Sequence, residues 1–559
     1  MRKVTCVLGT IVVILGLSSG LLQASSRPLS QNDLRRLITG GVYTTRIAAL
    51  VEERGISFRP SPARLNQLRS AGADERLCHI IANARQIWAQ PESTRPRSLH
   101  HRQLPNQAAP KVASPPSANT LQLHPPAVPV HNNQPPALKP KAPVSASAAP
   151  QPSAGPDLAG SQITALNWRE YKQYMPLGMT ELFQGDQRWK MPSDVEIDVG
   201  PTTHLQLPYR YRAATQAYSS NVRVVHLANG YNDLENYVAG SPFPNPQEPD
   251  KGYKLLADLW FAYIPHVMAG TTRNPLTLCA ETSHGYVNCS RLSYIYHQLA
   301  YNTDMDAPDN QSKNSNYWYS EWASFEEPEQ LRYTTYLMLF PKDNQRPKEF
   351  FLYVPSLRRW IRSSWAAHCA PIAGTDYVED DYRRIGFNGG LGAFDAEFLR
   401  HQKILALTGD FAPLGGNFPD NYYMPIGWPK PSWGKWQLRD VDVVDVRPVP
   451  SERQSYCYGR RVIYEDSETH YALWEDGYDR NLKLWKTALL DQRMVKASVY
   501  GEVPGGFAST AWDLKYDHMS NATSEGRDGQ DVSVDYDVPR EFNNFNAYST
   551  PEGLAEIMR

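Results

Sequence analysis

The sequence predicts a mainly β (α+β) protein: a large antiparallel sheet preceded by a small all-α module. Three observations predict it. Of the 14 Trp, 32 Tyr and 16 Phe in the 559 residues, only Tyr43, Phe58 and Trp88 precede residue 161. The aromatic-rich remainder carries short aromatic and β-branched runs between turn signals, which is strand composition. Residues 29–90 instead space their apolar side chains at helical intervals.

At the N-terminus, Arg2 and Lys3 precede an apolar run from Val4 to Leu22, followed by Gln23-Ala24-Ser25-Ser26. A positive start, a short apolar core and a small-residue exit read as a signal peptide over 1–24, cleaved after Ala24. The alternative is an uncleaved inner-membrane anchor, because the run is just long enough to span a bilayer. Cleavage predicts a periplasmic or secreted protein.

Residues 29–90 read as a four-helix module. Ser30 and Asp33 form a capping box. Leu34, Leu37 and Ile38 follow at helical spacing, and Gly40-Gly41 ends the first helix. Ile47, Leu50 and Val51 carry the second. Ser61-Pro62 opens the third as an N-cap with proline at the first helical position. Leu77, Cys78, Ile80 and Ile81 carry the fourth. Leu34, Leu37, Gly41, Ile47, Leu50 and Arg54 recur 31 residues later as Leu65, Leu68, Gly72, Cys78, Ile81 and Arg85. Two hairpins of one design should stack, since neither buries its apolar face alone. The module reads either as a docking site for a protein partner or as a duplication without further role.

Residues 91–160 are proline-rich, with only Glu92 and Asp157 as acids. Such a stretch buries too little apolar surface to offset its ordering entropy. It reads as a semi-extended tether of up to ~200 Å.

Residues 161–559 form the β domain. Expected strands include Asn221–Leu227, Tyr333–Phe340, Glu349–Val354, Val441–Val446, Tyr458–Tyr464 and Leu482–Thr487. Turn residues between successive runs predict an antiparallel meander. Thr550-Pro551 starts a C-terminal helix. Asp440, Asp442 and Asp445 alternate with valines, as on a strand with a solvent face.

A net charge of −1 supplies no field that would attract nucleic acid. Cys279 and Cys289, ten residues apart, are expected to staple a hairpin, and Cys369 with Cys457 form a candidate second disulfide. Cys78 is left as a buried thiol. No cysteine pair has metal or thioredoxin spacing. The sequence contains no nucleophile elbow, zincin motif or P-loop, so it assigns no catalytic residue, no metal ligand and no cofactor. Gly389-Gly390-Leu391-Gly392 reads as a turn. Asp376, Glu379, Asp380 and Asp381 could host glycoside-type hydrolysis if two were suitably spaced. Arg383 and Arg384 beside them are the expected ion-pair partners otherwise.

Several ordered segments resemble one bacterial family. They are Tyr171–Met179, Asn236–Pro244 (NYVAGSPFP), Arg358-Arg359-Trp360-Ile361-Arg362 after Tyr353-Val354-Pro355, Gly374-Thr375-Asp376 with Asp380-Asp381 and Gly386-Phe387, Tyr458–Tyr464, and Tyr478–Lys486. Where the family pattern places a glycine in the last of these, this chain has Asn481-Leu482-Lys483. From about residue 165 onward the chain resembles the domain of unknown function thirteen-twenty-nine family, which is similar to the periplasmic lipoprotein carrier LolA. That resemblance implies a half-open antiparallel β-barrel with covering helices and an apolar concave face. It implies a lipid or other hydrophobic ligand, passed to or from an envelope export complex. Phe243, Trp260, Trp360, Phe387, Phe394, Trp474 and Trp485 are the expected ligand-lining residues. A hydrolase of cell-wall or lipid substrates using the acids near Asp376, and a structural envelope protein, are the competing readings.

The tether generates a direct test. Limited proteolysis of the full-length chain is expected to cut first within residues 95–158, leaving both flanking regions intact on mass spectrometry. Resistance across that span would show that it packs on something.

Overall fold

The computed structural model describes residues 28–39, 44, 47–48, 51–52, 55–86 and 158–557, apart from 188–189, 271–274, 282–284, 305–315, 364–368, 382, 384–385, 410–417, 498–500, 525–532 and 535–537. The signal peptide, the tether up to residue 157, and Gly41, Leu50 and Arg54 of the repeat lie outside the described residues; Leu158 packs on the β domain and the Gly160 amide donates to the Val199 carbonyl at 2.8 Å.

The helical module forms at the predicted signals. The helix Gln31–Thr39 is closed by a reciprocal box: the Ser30 amide donates to Asp33 Oδ2 at 2.9 Å and the Asp33 amide to Ser30 Oγ at 3.2 Å. Ser61 caps the helix Pro62–Ser70 and Asp74 caps Glu75–Ala82. Leu29, Ile56 and Gln86 make single parallel bridges that tie the hairpins side by side. Leu34, Ile47, Leu68, Cys78 and Ile81 are all buried.

Two short hairpins open the β domain: β1 (Gln162–Thr164) with β2 (Glu196–Asp198), and β3 (Arg223–His226) with β4 (Asn232–Glu235). The chain then lays down β5 (Val267–Gly270), β6 (Leu276–Glu281), β7 (Val287–Gln298), β8 (Tyr317–Glu327), β9 (Thr335–Pro341), β10 (Glu349–Val354) and β11 (Arg359–Ser363). After a long connection come β12 (Phe394–Ala406), β13 (Thr408–Gly409), the small pair β14 (Tyr422–Tyr423) and β15 (Trp428–Pro429), and β16 (Gln437–Pro448). The last strands are β17 (Arg460–Asp466), β18 (Ala472–Tyr478), β19 (Leu484–Ala497), β20 (Gly501–Asp513), β21 (His518–Thr523) and β22 (Ser533–Val534).

The main sheet runs β11-β10-β9-β8-β7-β6-β21-β20-β19-β18-β17-β16-β12. Its path is antiparallel throughout. β5 takes over from β6 along β7, β22 flanks β5, and β13 adds in parallel to β19. β11 and β12 are free ends, so the sheet is not closed. The chain meanders out to β11, crosses to the far edge at β12, and works back until β21 meets β6. Cys279 and Cys289 face each other across β6 and β7, joined by a disulfide with Cα atoms 4.0 Å apart.

One face carries a single apolar cluster to which both halves contribute, including Tyr296, Tyr319, Met338 and Phe340 from one and Val444, Ile463 and Leu490 from the other. The opposite face carries two separate clusters. One packs β12 and β16–β21 against the helix Leu177–Gln184 and the β14–β15 hairpin. The other places Ile295, Trp322, Leu337 and Phe351 with the helical module and with Phe542, Tyr548 and Leu554 of the C-terminus. A sheet that shares one cluster on one side and splits it on the other curves around the shared one, which is therefore the inner face.

Helix–sheet contacts need small residues. The Gly178 amide, in the first turn of its helix, donates to Asp476 Oδ1 at 3.1 Å. The same carboxylate accepts from Thr487, Trp474 and Tyr464. On the inner face the helix Lys251–Trp260 crosses β12 at Gly252. A Cβ there would lie 2.4 Å from the Glu397 carbonyl carbon and the Phe398 amide nitrogen. Backbone cannot yield as a side-chain tip does, so Gly252→Ala is expected to destabilise the fold by about 1–3 kcal/mol. Urea unfolding of the full-length chain measures it. An unchanged midpoint would show that the helix has room to shift.

Candidate functional site

The connection from β11 to β12 spans the opening between the two free edges, and its descent along the inner face shapes the site. A disulfide joins Cys369 to Cys457, Cα atoms 5.7 Å apart. The Tyr377 hydroxyl donates to the Ser509 carbonyl at 2.9 Å, pinning the connection to β20. Lys348 on the β9–β10 turn reaches in to Asp380 at 2.8 Å and Glu379 at 3.3 Å. Arg461 on β17 grips Glu475 through two bonds of 2.6 and 2.7 Å and reaches Asp381 at 3.2 Å. Asp376 accepts from Ser520 at 2.8 Å, with His518 3.8 Å away.

The four clustered acids thus have basic or hydroxyl partners. Their cations are Lys348 and Arg461, from strands distant in sequence, rather than the neighbouring Arg383 that the sequence reading favoured; Arg384 lies outside the described residues. Ser520 Oγ donates its hydrogen bond to Asp376 and so holds the connection against β21. Asp445, expected to face solvent, is buried between Arg447 and Arg460, each 2.8 Å away.

Arg383 turns inward. Its guanidinium carbon lies 4.6, 4.6 and 4.4 Å from the ring centres of Trp260, Trp318 and Tyr319. Its Nη1 donates to the Trp260 carbonyl at 3.0 Å. It borders a cleft of about 630 Å³, part of it open to solvent. Met268, Leu276, Leu490 and Ala522 make its apolar wall, with Ser509, Tyr294 and Tyr377 beside them. Glu321 of β8 enters the same cleft, only 1% exposed. Its Oε1 accepts from the Tyr294 hydroxyl at 3.2 Å, while Oε2 has no hydrogen-bond partner among the described residues. Burial pushes the Glu321 carboxyl up to about 7, against the opposing pull of Arg383.

The expected lining residues divide. Trp260, Phe387 and Phe394 are buried in the inner cluster, while Phe243 and Trp485 lie half-buried at its margin. Trp360 and Trp474 lie on the outer face, contrary to the expectation. Trp360 pairs with Tyr353 across the sheet and packs on Phe351, ring centres 5.4 Å apart. Trp474 stacks on Trp512 at 5.9 Å. Strand register decides the face, and composition does not report register. None of the seven borders the Glu321 cleft. Sequence reasoning missed the residues that do. A usable signal lay in the small side chains Ser509 and Ala522, paired across adjacent strands: large rings fill space, and small ones leave it.

The chain belongs to the family described as protein of unknown function (DUF1329), whose model matches residues 162–554. An uncharacterized protein, PA3922, of Pseudomonas aeruginosa is 24% identical over 335 residues, covering 58% of this chain and 68% of the relative. Among solved structures, a DUF1329 family protein from Desulfovibrio piger aligns with TM-score 0.36 and 14% identity, over 54% of this chain and all of that one. The LolA superfamily protein NE2245 from Nitrosomonas europaea aligns with TM-score 0.29 and 12% identity, over 51% and 92%.

Glu321 links this site to stability. A carboxyl held near 7 in the folded state, and near 4.5 unfolded, binds its proton more tightly when folded. Folding therefore loses stability as pH rises through that interval, by about 3 kcal/mol in all. Glu321→Gln is expected to be neutral below about pH 4 and to stabilise by up to about 3 kcal/mol above about pH 8. Urea midpoints at both pH values test it. Equal effects at both would show that Glu321 titrates normally.

Proposed function

We propose that the protein binds and carries a lipid or other hydrophobic molecule in the bacterial envelope, holding it in the inner-face cleft without transforming it. The observation that carries this reading is the cleft itself. Here the inner face leaves a cleft, partly open to solvent, whose exposed wall is mostly apolar, from Met268, Leu276, Leu490 and Ala522. A hydrocarbon chain placed there gains ~0.8 kcal/mol for each methylene removed from water. Apolar area with few hydrogen bonds also permits release, which a carrier requires.

The apolar run at the N-terminus and the two disulfides support an exported, oxidising location. In this reading the ligand passes to or from an envelope export complex, and the helical module docks a protein partner.

A fluorescent fatty-acid analogue is expected to bind the full-length chain saturably. Met268→Gln and Leu490→Gln together are expected to weaken binding by about tenfold or more while the circular dichroism spectrum holds; each places a polar amide in the apolar wall. Absence of saturable binding by the wild-type chain would overturn the carrier reading in favour of a structural role.

A further inference from the structure

We propose that the cleft selects an amphiphile with a singly charged carboxylate head, received by the free edge of Arg383 together with Glu321. The inference rests on the carrier reading and names the class of its ligand.

The argument begins with what Arg383 leaves unused. Its Nη1 is committed to the Trp260 carbonyl, and three aromatic rings pack about the guanidinium. Nε and Nη2 make no well-formed hydrogen bond among the described residues, although the residue is only 6% exposed; the Tyr296 hydroxyl, itself a donor, lies against the guanidinium. Those two nitrogens form the side-on edge of the guanidinium, the pair that meets both oxygens of a carboxylate at once. A buried guanidinium edge without an acceptor is costly, and an incoming anion removes that cost.

Glu321 supplies the second half. Its Oε2 is buried and unpartnered in the same cleft, while Oε1 is held by Tyr294. When protonated, Oε2 donates a hydrogen bond that a ligand oxygen accepts. The charged groups acting on Glu321 are Arg383, Lys348 and Glu379, and Lys348 is itself engaged by Asp380 and Glu379. Asp381, which also lines the cleft, is paired with Arg461, so among the described residues Arg383 is the cation at the cleft without a carboxylate partner. One cation beside a neutral acid balances one negative charge. A phosphate dianion would leave its second charge buried and unpaired. The tail then runs along Met268, Leu276, Leu490 and Ala522.

Proton linkage follows. Burial holds Glu321 at about 7, and a bound carboxylate raises it further. Above neutrality Glu321 becomes a like charge beside the ligand head, so affinity falls as pH rises.

Isothermal titration of the full-length chain with decanoate and with decan-1-ol separates head from tail. At about pH 6 decanoate is expected to bind at least about tenfold more tightly than the alcohol, a difference of about 1.4 kcal/mol. Arg383→Gln is expected to abolish that preference while leaving alcohol binding within about twofold. Glu321→Gln is expected to keep the preference and flatten its decline between about pH 6 and about pH 8. Equal affinity of wild-type protein for the two probes would overturn the carboxylate inference and leave the carrier reading standing. Binding of neither probe would overturn both.

Discussion

The connection that must cross between β11 and β12 is the constraint on which the rest of the structure depends. An antiparallel sheet that meanders outward and is completed from the opposite edge has its two ends far apart along its width. The chain joining them has no strand to pair with and must satisfy its polar groups against the inner face. Lys348 with Asp380 and Arg461 with Asp381 and the Asp380 carbonyl do this, with the Cys369–Cys457 disulfide as a covalent tie. Arg461 is 1% exposed, so removing either side of its pairing with Glu475 would strand a buried charge, a loss of several kcal/mol. The acid-rich stretch 376–381 is therefore explained by architecture. Its carboxylates anchor the connection to both halves of the sheet.

The same crossing determines what the inner face has left to offer. Once the connection and the helix Lys251–Trp260 are seated, Trp260, Trp318, Tyr319, Phe340 and Phe387 pack on one another, Tyr319 stacked on Phe340 at 4.0 Å. Space survives where β19, β20 and β21 present Leu490, Ser509 and Ala522 toward β5, β6 and β8. Arg383 stands at the boundary between the two regions. Its rings shield one side of the guanidinium, and the cleft takes the other.

Much of the fold was legible in the sequence. Glu349–Val354 is a strand at the expected bounds, and the runs from Tyr333, Val441 and Tyr458 fall within one to four residues of the observed strands. Local signals decide these: β-branched and aromatic runs, Ser61-Pro62, Ser30 with Asp33. Leu482 illustrates a subtler case. It adopts the left-handed conformation, φ 58°, that a glycine would take freely. Half exposed at a turn, it retains the backbone path at some strain. What the sequence left undetermined was pairing over long separations. The partners of Glu379 to Asp381 lie 31 to 80 residues away, and the faces of Trp360 and Trp474 follow from register. The cleft stayed hidden because it is defined by what its side chains leave empty.

The two faces of β7 and β8 bring the helical module and the cleft closer than their sequence separation implies. Along β8, Ser320 and Trp322 point outward and Glu321 points inward. Trp322 belongs to the cluster that includes Leu34, Leu68 and Ile81 of the module. Ser320 Oγ meets Ser549 Oγ at 2.7 Å, and His297 of β7 bridges Ser549 and the Phe542 carbonyl at 2.8 and 2.7 Å. Burial holds that histidine down to about 3, so it makes these bonds uncharged. On the other side of the same two strands, Tyr294 of β7 holds Glu321 of β8. One strand thickness therefore separates the acid of the cleft from the outer layer built by both chain ends. Fixing the strands from outside fixes the inner pair, because neighbouring residues on a strand share one backbone and interiors packed at this density do not deform locally. The outer layer is thus part of what holds Glu321 in position beside Arg383.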